Sequence, residues 1–278
     1  MIVCDLSKVG VIDGEWKIEI SSKISGVMRL FEGQILFGSL EEGSREIFLS
    51  TVKLNPSVIY IRVYLEDIRG SLAKITDIFK RDSVNILSGG AFSLGNLWVS
   101  EFVLDFKGVK ASPEDVINEV EGLGGFVTSR EITELFPRSF DLQSTFEISG
   151  NGPDEMQLLI PSSFSSSITK AGGTASYALL NAWPRVKAIF INFYQPETRL
   201  VKITAKIKDI PGSLHALANF LRNQIDLQAI DELHHDPASG EWISFGVLVM
   251  GRLDELREKA GRVPTILNFE AEPLGWKE

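Results

Sequence analysis

The sequence has little of what several classes of protein require. It contains one cysteine, Cys4, and so no intramolecular disulfide, which excludes a disulfide-stabilised secreted scaffold and fits a reducing compartment. No apolar run approaches the roughly 18 residues of a membrane-spanning helix, and the first residues lack the charged and then apolar pattern of a signal peptide. We therefore expect a cytoplasmic protein that does not contact a membrane.

Basic residues are in the minority. The chain has 28 Lys and Arg against 37 Asp and Glu, for a formal net charge of −9. Because affinity for nucleic acid depends on neutralising phosphates, this balance excludes strong non-specific binding by the chain as a whole and leaves open a local basic patch. The 44% hydrophobic and 23% charged content of the 278 residues is typical of a soluble globular protein, and the length favours about two domains.

The chain contains an internal repeat. The hexapeptides Asp67–Leu72 (DIRGSL) and Asp209–Leu214 (DIPGSL) agree at five of six positions. Upstream, apolar and small residues of Glu15–Ser25 align with those of Glu155–Ser165. Agreement over most of the chain predicts two copies of one composite module, residues 1–136 and 137–278.

The later part of each copy has the clearest secondary-structure pattern. Residues 201–208 alternate apolar and polar side chains, which predicts a half-buried strand, and Leu214–Leu221 carries an apolar helical stripe. We expect Asp209 or Ser213 to accept hydrogen bonds from the first amides of this helix. The remaining elements are two hairpins, Val84–Phe92 with Asn96–Phe106 and Ile225–Leu233 with Glu241–Met250, a helix capped by Ser112 with Pro113 at its first position, and closing strands Phe126–Ile132 and Val263–Phe269.

This order, β-α-β-β-α-β, predicts an α+β protein with two ferredoxin-like domains, each preceded by a β-rich segment. The predicted boundaries are a β-rich segment at 1–56, a first domain at 57–136, a second β-rich segment at 137–197 and a second domain at 198–278.

The strand-to-helix turn resembles that of ACT domains. Asp209-Ile210-Pro211-Gly212-Ser213-Leu214 precedes an amphipathic helix and a strand near Ile225, and copy one repeats this order with Ser83-Val84-Asn85-Ile86 at its second strand. The resemblance covers about 57–134 and 199–272. It implies non-catalytic regulatory modules that bind small molecules, most often amino acids, and that pair edge to edge, either within the chain or in a homodimer.

A ligand carboxylate fits this turn on physical grounds, because a helix N-terminus presents unpaired amides and a partial positive charge. Copy one departs from the family with Arg69 in place of proline, so copy two is the better candidate. The candidate ligand-binding residues are Asp209, Ile210, Pro211, Gly212, Ser213 and Leu214 in copy two, and Asp67, Arg69, Gly70, Ser71 and Leu72 in copy one.

The upstream segments show a second resemblance. Ile18–Ser39 and Leu158–Leu180 both resemble the strand, short helix, Gly turn and strand of AbrB-like swapped-hairpin domains. That fold is a barrel of two interlocked copies, which a tandem repeat would supply from one chain. A ligand-gated, DNA-binding transcription regulator is therefore an alternative. We do not favour it, because few basic residues are available to neutralise phosphates: Lys23 and Arg29 in the first stretch, Lys170 in the second, and Arg185 and Lys187 after it.

All three histidines lie in copy two. His215 and one of His234 and His235, with Asp209 or Asp236, would provide enough ligands for a metal ion. Solvated imidazoles at a surface turn are the interpretation we favour, and a pH-sensitive pocket is an intermediate one. A metal-binding regulatory protein remains a second alternative.

Motifs for catalysis are missing. There is no G-x-S-x-G, Walker loop, H-E-x-x-H or cysteine pair, and Gly122–Gly125 is better explained as a helix stop than as a phosphate loop. We expect a non-enzymatic amino-acid sensor that needs no cofactor.

Overall fold

The computed structural model describes residues 3–53, 55, 57–128, 141–150, 152, 155–236 and 239–275, with only the backbone described for 231–236. In this part the chain is α+β, with antiparallel strand pairs and six α-helices. None of these helices is long and apolar enough to cross a bilayer.

The first half of the chain contributes nine strands and three helices. They are β1 (Val3–Lys8), β2 (Gly10–Ile12), β3 (Glu15–Ile20), α1 (Ser22–Met28), β4 (Ile35–Leu40), β5 (Glu46–Ser50), β6 (Val58–Glu66), α2 (Ser71–Arg81), β7 (Asn85–Leu94), β8 (Leu97–Asp105), α3 (Pro113–Glu121) and β9 (Phe126–Thr128).

The second half repeats most of this order. Its elements are β10 (Leu142–Ser149), β11 (Met156–Ile160), α4 (Ser162–Gly172), β12 (Tyr177–Trp183), a 3₁₀ turn at Pro184–Val186, β13 (Ala188–Tyr194), β14 (Leu200–Lys208), α5 (Ser213–Leu221), β15 (Ile225–Asp236), β16 (Ser239–Leu248), α6 (Leu253–Ala260) and β17 (Ile266–Pro273).

The two upstream segments share one nine-stranded sheet, in the order β1-β12-β13-β5-β4-β10-β11-β3-β2. Four antiparallel pairs join strands of different halves: β1 with β12, β13 with β5, β4 with β10, and β11 with β3. Neither segment could make this sheet alone, because most of each segment's strands pair with strands of the other half.

The sheet curls around a single core. Near its two ends, the hydroxyl of Ser7 in β1 accepts a hydrogen bond from the backbone N–H of Glu19 in β3 at 2.9 Å. One face of eight of its strands, together with α1 and α4, buries a continuous apolar cluster. Its fully enclosed members include Ile18, Ile24, Leu36, Ile47, Ile148, Leu158, Phe164, Ile168 and Ile191.

Each half then forms a four-stranded α/β unit, the first spanning Val58–Thr128 and the second Leu200–Pro273. The strand orders are β7-β8-β6-β9 and β15-β16-β14-β17, so the first strand of each unit lies inside its sheet. In the first unit, α2 and α3 pack on the same sheet face, where Ile75, Phe79 and Val120 cover the apolar side of β6. The second unit buries the equivalent cluster around Val201, Ile203, Leu217 and Leu256.

The opposite face of each four-stranded sheet packs against the outer wall of the nine-stranded sheet. Tyr60 and Val103 of the first unit contact Phe48 and Ala188 there. Phe245 of the second unit packs with Cys4 and Leu179. Each unit is therefore covered by its own helices on one face and by the nine-stranded sheet on the other.

Two local predictions need correction. The closing strand of copy two begins at Ile266 rather than Val263, because Pro264 lies in a turn closed by the Ile266 N–H donating to the Val263 carbonyl at 3.0 Å. The cap of α5 is Gly212, and the hydroxyl of Ser213 does not cap this helix, because it has no hydrogen-bond partner among the described residues. The cap of α3 by Ser112, with Pro113 in the first turn, is confirmed. The part of the predicted strand Phe126–Ile132 beyond Thr128 lies outside the described residues.

Candidate functional site

The turn between β14 and α5 is built around a glycine with left-handed backbone. Gly212 has φ of 90°, a conformation that costs a side-chain-bearing residue free energy, and a Cβ placed there would have no neighbour within 4 Å. The N–H of Ser213 donates to the Ile210 carbonyl at 3.2 Å, which closes the turn before the helix. The turn thus exposes its backbone in a fixed, open corner.

A cavity of about 600 Å³ lies at this corner. Five of the six residues predicted for copy two line it, and Pro211 does not. The lining is Ile207, Lys208, Asp209, Ile210, Gly212, Ser213, Leu214, His215, Gly240 and Trp242. Within the part of the chain that is described, the backbone N–H groups of Leu214 and His215 meet no acceptor, as expected in the first turn of a helix.

The side chain of Ser213 is buried and unsatisfied. It is 3% exposed, and its hydroxyl has no hydrogen-bond partner among the described residues. A buried hydroxyl without a partner costs free energy, so native structures rarely contain one without a reason. Nine side-chain atoms of the described residues are buried without a partner, and the Ser213 hydroxyl is the one among them whose residue lines this cavity.

The equivalent residue of copy one is satisfied by the protein itself. Ser71 is 4% exposed, and its hydroxyl lies 2.8 Å from the carbonyl oxygen of Glu66 and 3.0 Å from that of Ile68, to which it donates. Gly70 has φ of 95°, so the backbone turn is the same in both units. The two turns differ in what their serines bind rather than in their glycines.

The charge beside the turn also differs between the copies. The last residue of β14 is Lys208, whereas the last residue of β6 is Glu66, and both side chains are exposed. No carboxylate of the described residues pairs with Lys208, which lines the cavity. A cation at this point favours an anionic guest, and a carboxylate at the same point disfavours one.

The remaining copy-one candidates lie together on the surface. Asp67, Arg69, Gly70 and Leu72 are exposed, and the Asp67 carboxylate accepts a hydrogen bond from the Ser93 hydroxyl. Arg69 replaces the proline of copy two without changing the turn, since Gly70 takes the same left-handed conformation as Gly212.

Four cavity residues were not among the sequence candidates, namely Ile207, Lys208, Gly240 and Trp242. Lys208 was visible only as the last polar position of an alternating strand, and Trp242 only as a match to Trp98 in the repeat. Trp242 is partly buried against the core of the second unit and forms one wall of the cavity. Lys208 lies at the turn because it ends β14, and Trp242 is brought there by strand pairing, since β16 lies beside β14.

Of the three histidines, His215 lines the cavity in the first turn of α5. The backbone places His235 opposite Gly240, another cavity residue, and His234 opposite Glu241. The side chains of His234, His235 and Asp236 lie outside the described residues. Within the residues that are described, no group of three His, Cys, Asp or Glu side chains is placed to hold a metal ion.

Comparisons with known proteins give weak likenesses only. No protein-family model matches the sequence, and no curated protein matches it. An unknown protein from Galdieria sulphuraria has 11% identity and a TM-score of 0.25, over 78% of this chain and 98% of its own. A "putative glycine cleavage system transcriptional repressor" has 12% identity and a TM-score of 0.25, over 78% of this chain and 96% of its own. A protein from Bacteroides thetaiotaomicron has 8% identity and a TM-score of 0.21, over 79% and 94% of the two chains.

Proposed function

We propose that the chain is a regulatory sensor of an amino acid, whose carboxylate binds in the second α/β unit. The observation that carries the proposal is the buried, unpartnered hydroxyl of Ser213 in the wall of an open cavity at a helix N-terminus. The ligand carboxylate accepts hydrogen bonds from the N–H groups of Leu214 and His215 and from the Ser213 hydroxyl. Lys208 adds a positive charge on the same side.

The other end of an amino acid requires an acceptor for its ammonium group. Asp209 lines the same cavity and provides a carboxylate. Trp242 and Ile210 provide apolar surface for the ligand's side chain, since both border the cavity. A set of this kind, a few polar groups against an apolar wall, is typical of small-molecule sites.

We further propose that both units are ACT-like ferredoxin folds in an internally duplicated chain. The strand orders of the two four-stranded sheets, with two helices on one face in the first unit, support this assignment. The four strand pairs between the upstream segments support an AbrB-like interlocked barrel. In this scheme the first unit, whose Ser71 hydroxyl is already hydrogen-bonded within the protein, is the structural partner of the second unit. The protein works in the cytoplasm as a homodimer without catalytic activity.

The test is a calorimetric and thermal-shift screen of the common amino acids and related carboxylates. A ligand present at 100 times its dissociation constant adds about 2.7 kcal/mol to the free energy of unfolding. For the compound that binds, Ser213→Ala and Lys208→Glu each weaken binding by about tenfold or more, because each removes a donor or reverses a charge at the carboxylate.

The matched controls are Ser71→Ala and Glu66→Lys, the same changes in copy one, and they leave the dissociation constant unchanged. A ligand whose affinity falls with Ser71→Ala and not with Ser213→Ala would place the site in the first unit. A screen in which no carboxylate stabilises the protein would remove the proposed function.

A further inference from the structure

A second cavity lies where the first α/β unit meets the nine-stranded sheet. It encloses about 280 Å³ and is separate from the turn of the second unit. Its walls are Val27 in α1 and Arg29 after that helix, the strand residues Ser88, Gly89, Gly90, Glu101, Phe102 and Val103, and Pro184, Arg185 and Lys187 before β13. Both halves of the chain therefore contribute to it.

Three cations surround this cavity in a chain whose net charge is −9. In the described part of the chain, neither Arg29 nor Lys187 pairs with a carboxylate. Arg185 lies 3.5 Å from Glu101 through its Nε. A cleft in which positive charge exceeds negative charge attracts an anion.

The one carboxylate in the cavity lining, that of Glu101, is already paired with a cation. The Arg62 guanidinium, which is not part of the lining, approaches one oxygen of Glu101 with its Nε at 2.7 Å and its Nη2 at 2.5 Å. The side chains of both residues are largely buried, 17% and 22% exposed. Arg62 thus balances Glu101, and the charge of Arg29, Arg185 and Lys187 remains in excess.

The backbone holds two of these cations in an uncommon conformation. Arg29 has φ of 55° and Lys187 has φ of 60°, both in the left-handed region that non-glycine residues rarely occupy. Arg29 ends α1, and the Lys187 carbonyl accepts from the Ser50 hydroxyl and the Thr51 N–H at 3.0 Å each. These turns fix the points from which the two side chains extend.

The opposite wall allows close approach. Gly89 and Gly90 are consecutive exposed residues of β7, which among the described strands pairs with β8 alone and so forms an edge of its sheet. A Cβ at Gly90 would have no neighbour within 4 Å, so the space beside it is open. Alternate backbone N–H groups of an edge strand are unpaired and can donate to an anion.

A related cavity in the other half provides a comparison. Arg45 lines a cavity of about 340 Å³ beside the second unit. Its Nε donates to the Phe193 carbonyl and its Nη1 to the Gly173 carbonyl, each at 2.9 Å. The Arg45 guanidinium is therefore already hydrogen-bonded to carbonyl groups next to α4 and in β13. In the described part of the chain, the side chains of Arg29 and Lys187 make no such bonds.

We propose that this junction, formed by Arg29, Arg185, Lys187 and the Gly89–Gly90 edge, binds the phosphate group of a small phosphorylated molecule. Guanidinium and ammonium groups donate charge-assisted hydrogen bonds to phosphate oxygens. The volume is near the lower end of the roughly 300 to 1,000 Å³ of ligand pockets, which fits a small metabolite. Because the site joins the nine-stranded sheet to the first unit, the ligand stabilises that junction.

The test is an NMR or calorimetric titration of the full chain with inorganic phosphate, glycerol 3-phosphate and a short DNA duplex, at constant ionic strength. The double variant Arg29→Asn with Lys187→Asn removes both unpaired charges. Asn accepts left-handed backbone better than Arg or Lys does, so the variant keeps its fold. We expect glycerol 3-phosphate to bind the wild type and the double variant to raise its dissociation constant by at least about tenfold.

The control is Lys107→Asn with Lys110→Asn, which removes the same formal charge from the exposed loop after β8 and leaves the dissociation constant unchanged. Equal loss in the control and the double variant would show attraction to the overall charge and overturn the proposal. The proposal would also be overturned if the duplex bound more tightly than glycerol 3-phosphate at the same residues, or if neither inorganic phosphate nor glycerol 3-phosphate bound.

Discussion

Ser71 and Ser213 occupy the same position in two copies of one turn, yet in the described part of the chain only the Ser71 hydroxyl has hydrogen-bond partners. Its hydroxyl donates to carbonyls of Glu66 and Ile68, whereas the hydroxyl of Ser213 is buried without a partner in the described structure. Ser71→Ala should therefore lower the free energy of unfolding by about 1 kcal/mol, since it removes a satisfied hydrogen bond.

Ser213→Ala should leave that free energy unchanged or raise it, because alanine removes a buried group that has no partner. Urea unfolding of both variants without ligand measures the difference. An equal loss in the two variants would mean that Ser213 has an acceptor in the folded protein.

Gly212 gives a second prediction, which concerns backbone conformation. Its φ of 90° is unfavourable for a β-branched residue, even though a Cβ would meet open space. Gly212→Val should lower the free energy of unfolding by about 1 to 3 kcal/mol, so it is a poor probe of ligand binding alone. Gly212→Asn should cost less, since Asn tolerates left-handed backbone.

Thermal unfolding of the two Gly212 variants, without ligand, provides the measurement. Gly70→Val and Gly70→Asn, at φ of 95°, are the matched pair in copy one and should show the same order. Equal stability of the Val and Asn variants in both turns would contradict a backbone origin of the effect.

Gly38 gives a third prediction, at the point where the two halves interlock. It lies in β4 opposite Ser144 of β10, and a Cβ there would lie 2.9 Å from Leu49 Cδ2 and closer still to the ring of Phe146. Gly38→Ala should lower the free energy of unfolding by about 1 to 3 kcal/mol, through overpacking of the shared core.

Gly10→Ala is the control for Gly38, because its Cβ would have ordinary contacts with Lys17 at 3.8 Å and beyond. Chemical denaturation of both variants measures the difference. If Gly38→Ala were as stable as Gly10→Ala, the core around Phe146 would be looser than its packing indicates.

Much of the local structure could be predicted from the sequence, and the long-range pairing could not. The alternation of residues 201–208 and the cap at Ser112 fix a strand and a helix start through neighbouring residues alone. The pairing of Phe37 with Thr145, in contrast, joins residues more than a hundred positions apart. Alternation shows which face of a strand is buried, but it does not identify the partner strand.

The candidate site, too, could be predicted only as far as neighbouring residues determine it. Its glycine turn can be predicted from the hexapeptide Asp209–Leu214, because Gly212 takes a backbone conformation that few other residues accept. The difference between Ser71 and Ser213 is whether a carbonyl oxygen of the described residues lies within hydrogen-bond distance of the hydroxyl. Lys208 and Trp242 reach the cavity through strand ends and strand pairing, which a linear motif does not record.

The fourth prediction concerns pH and the first turn of α3. The Ser112 hydroxyl and N–H donate to the Asp115 carboxylate at 2.6 and 3.2 Å, and these bonds lower the pKa of Asp115. A lowered pKa in the folded state means that Asp115 stabilises the fold above its unfolded pKa, and that this contribution is lost as the pH falls through the folded pKa.

Wild type should accordingly be more stable than Asp115→Asn at pH 7, and the difference should shrink as the pH falls below about 4. Denaturation of both proteins across pH 7 to 3 provides the measurement, with Glu114→Gln as an exposed acidic control in the same turn. A difference that stays constant down to pH 3 would mean that the hydrogen bonds do not favour the charged form.

The fifth prediction follows from the shared nine-stranded sheet. If residues 1–136 are produced alone, β1, β3, β4 and β5 lose the partners that they have in the second half. The backbone groups that face those partners would be left unpaired, and the apolar face around Ile18 and Leu36 would be exposed. The first α/β unit, Val58–Thr128, keeps its own core and its own strand pairs.

Hydrogen exchange should therefore show rapid exchange in Val3–Ser50 of the isolated half and slow exchange in β6 and β8. Adding the other half, residues 137–278, should restore protection of Val3–Ser50 in a 1:1 complex, because it supplies β10 to β13. Self-association of residues 1–136 with the same protection would mean that one copy can replace the other, as the internal repeat permits. Protection of Val3–Ser50 in a monomeric half would contradict the interlocked sheet, since β12 and β11, the partners of β1 and β3 in the second half, would be absent.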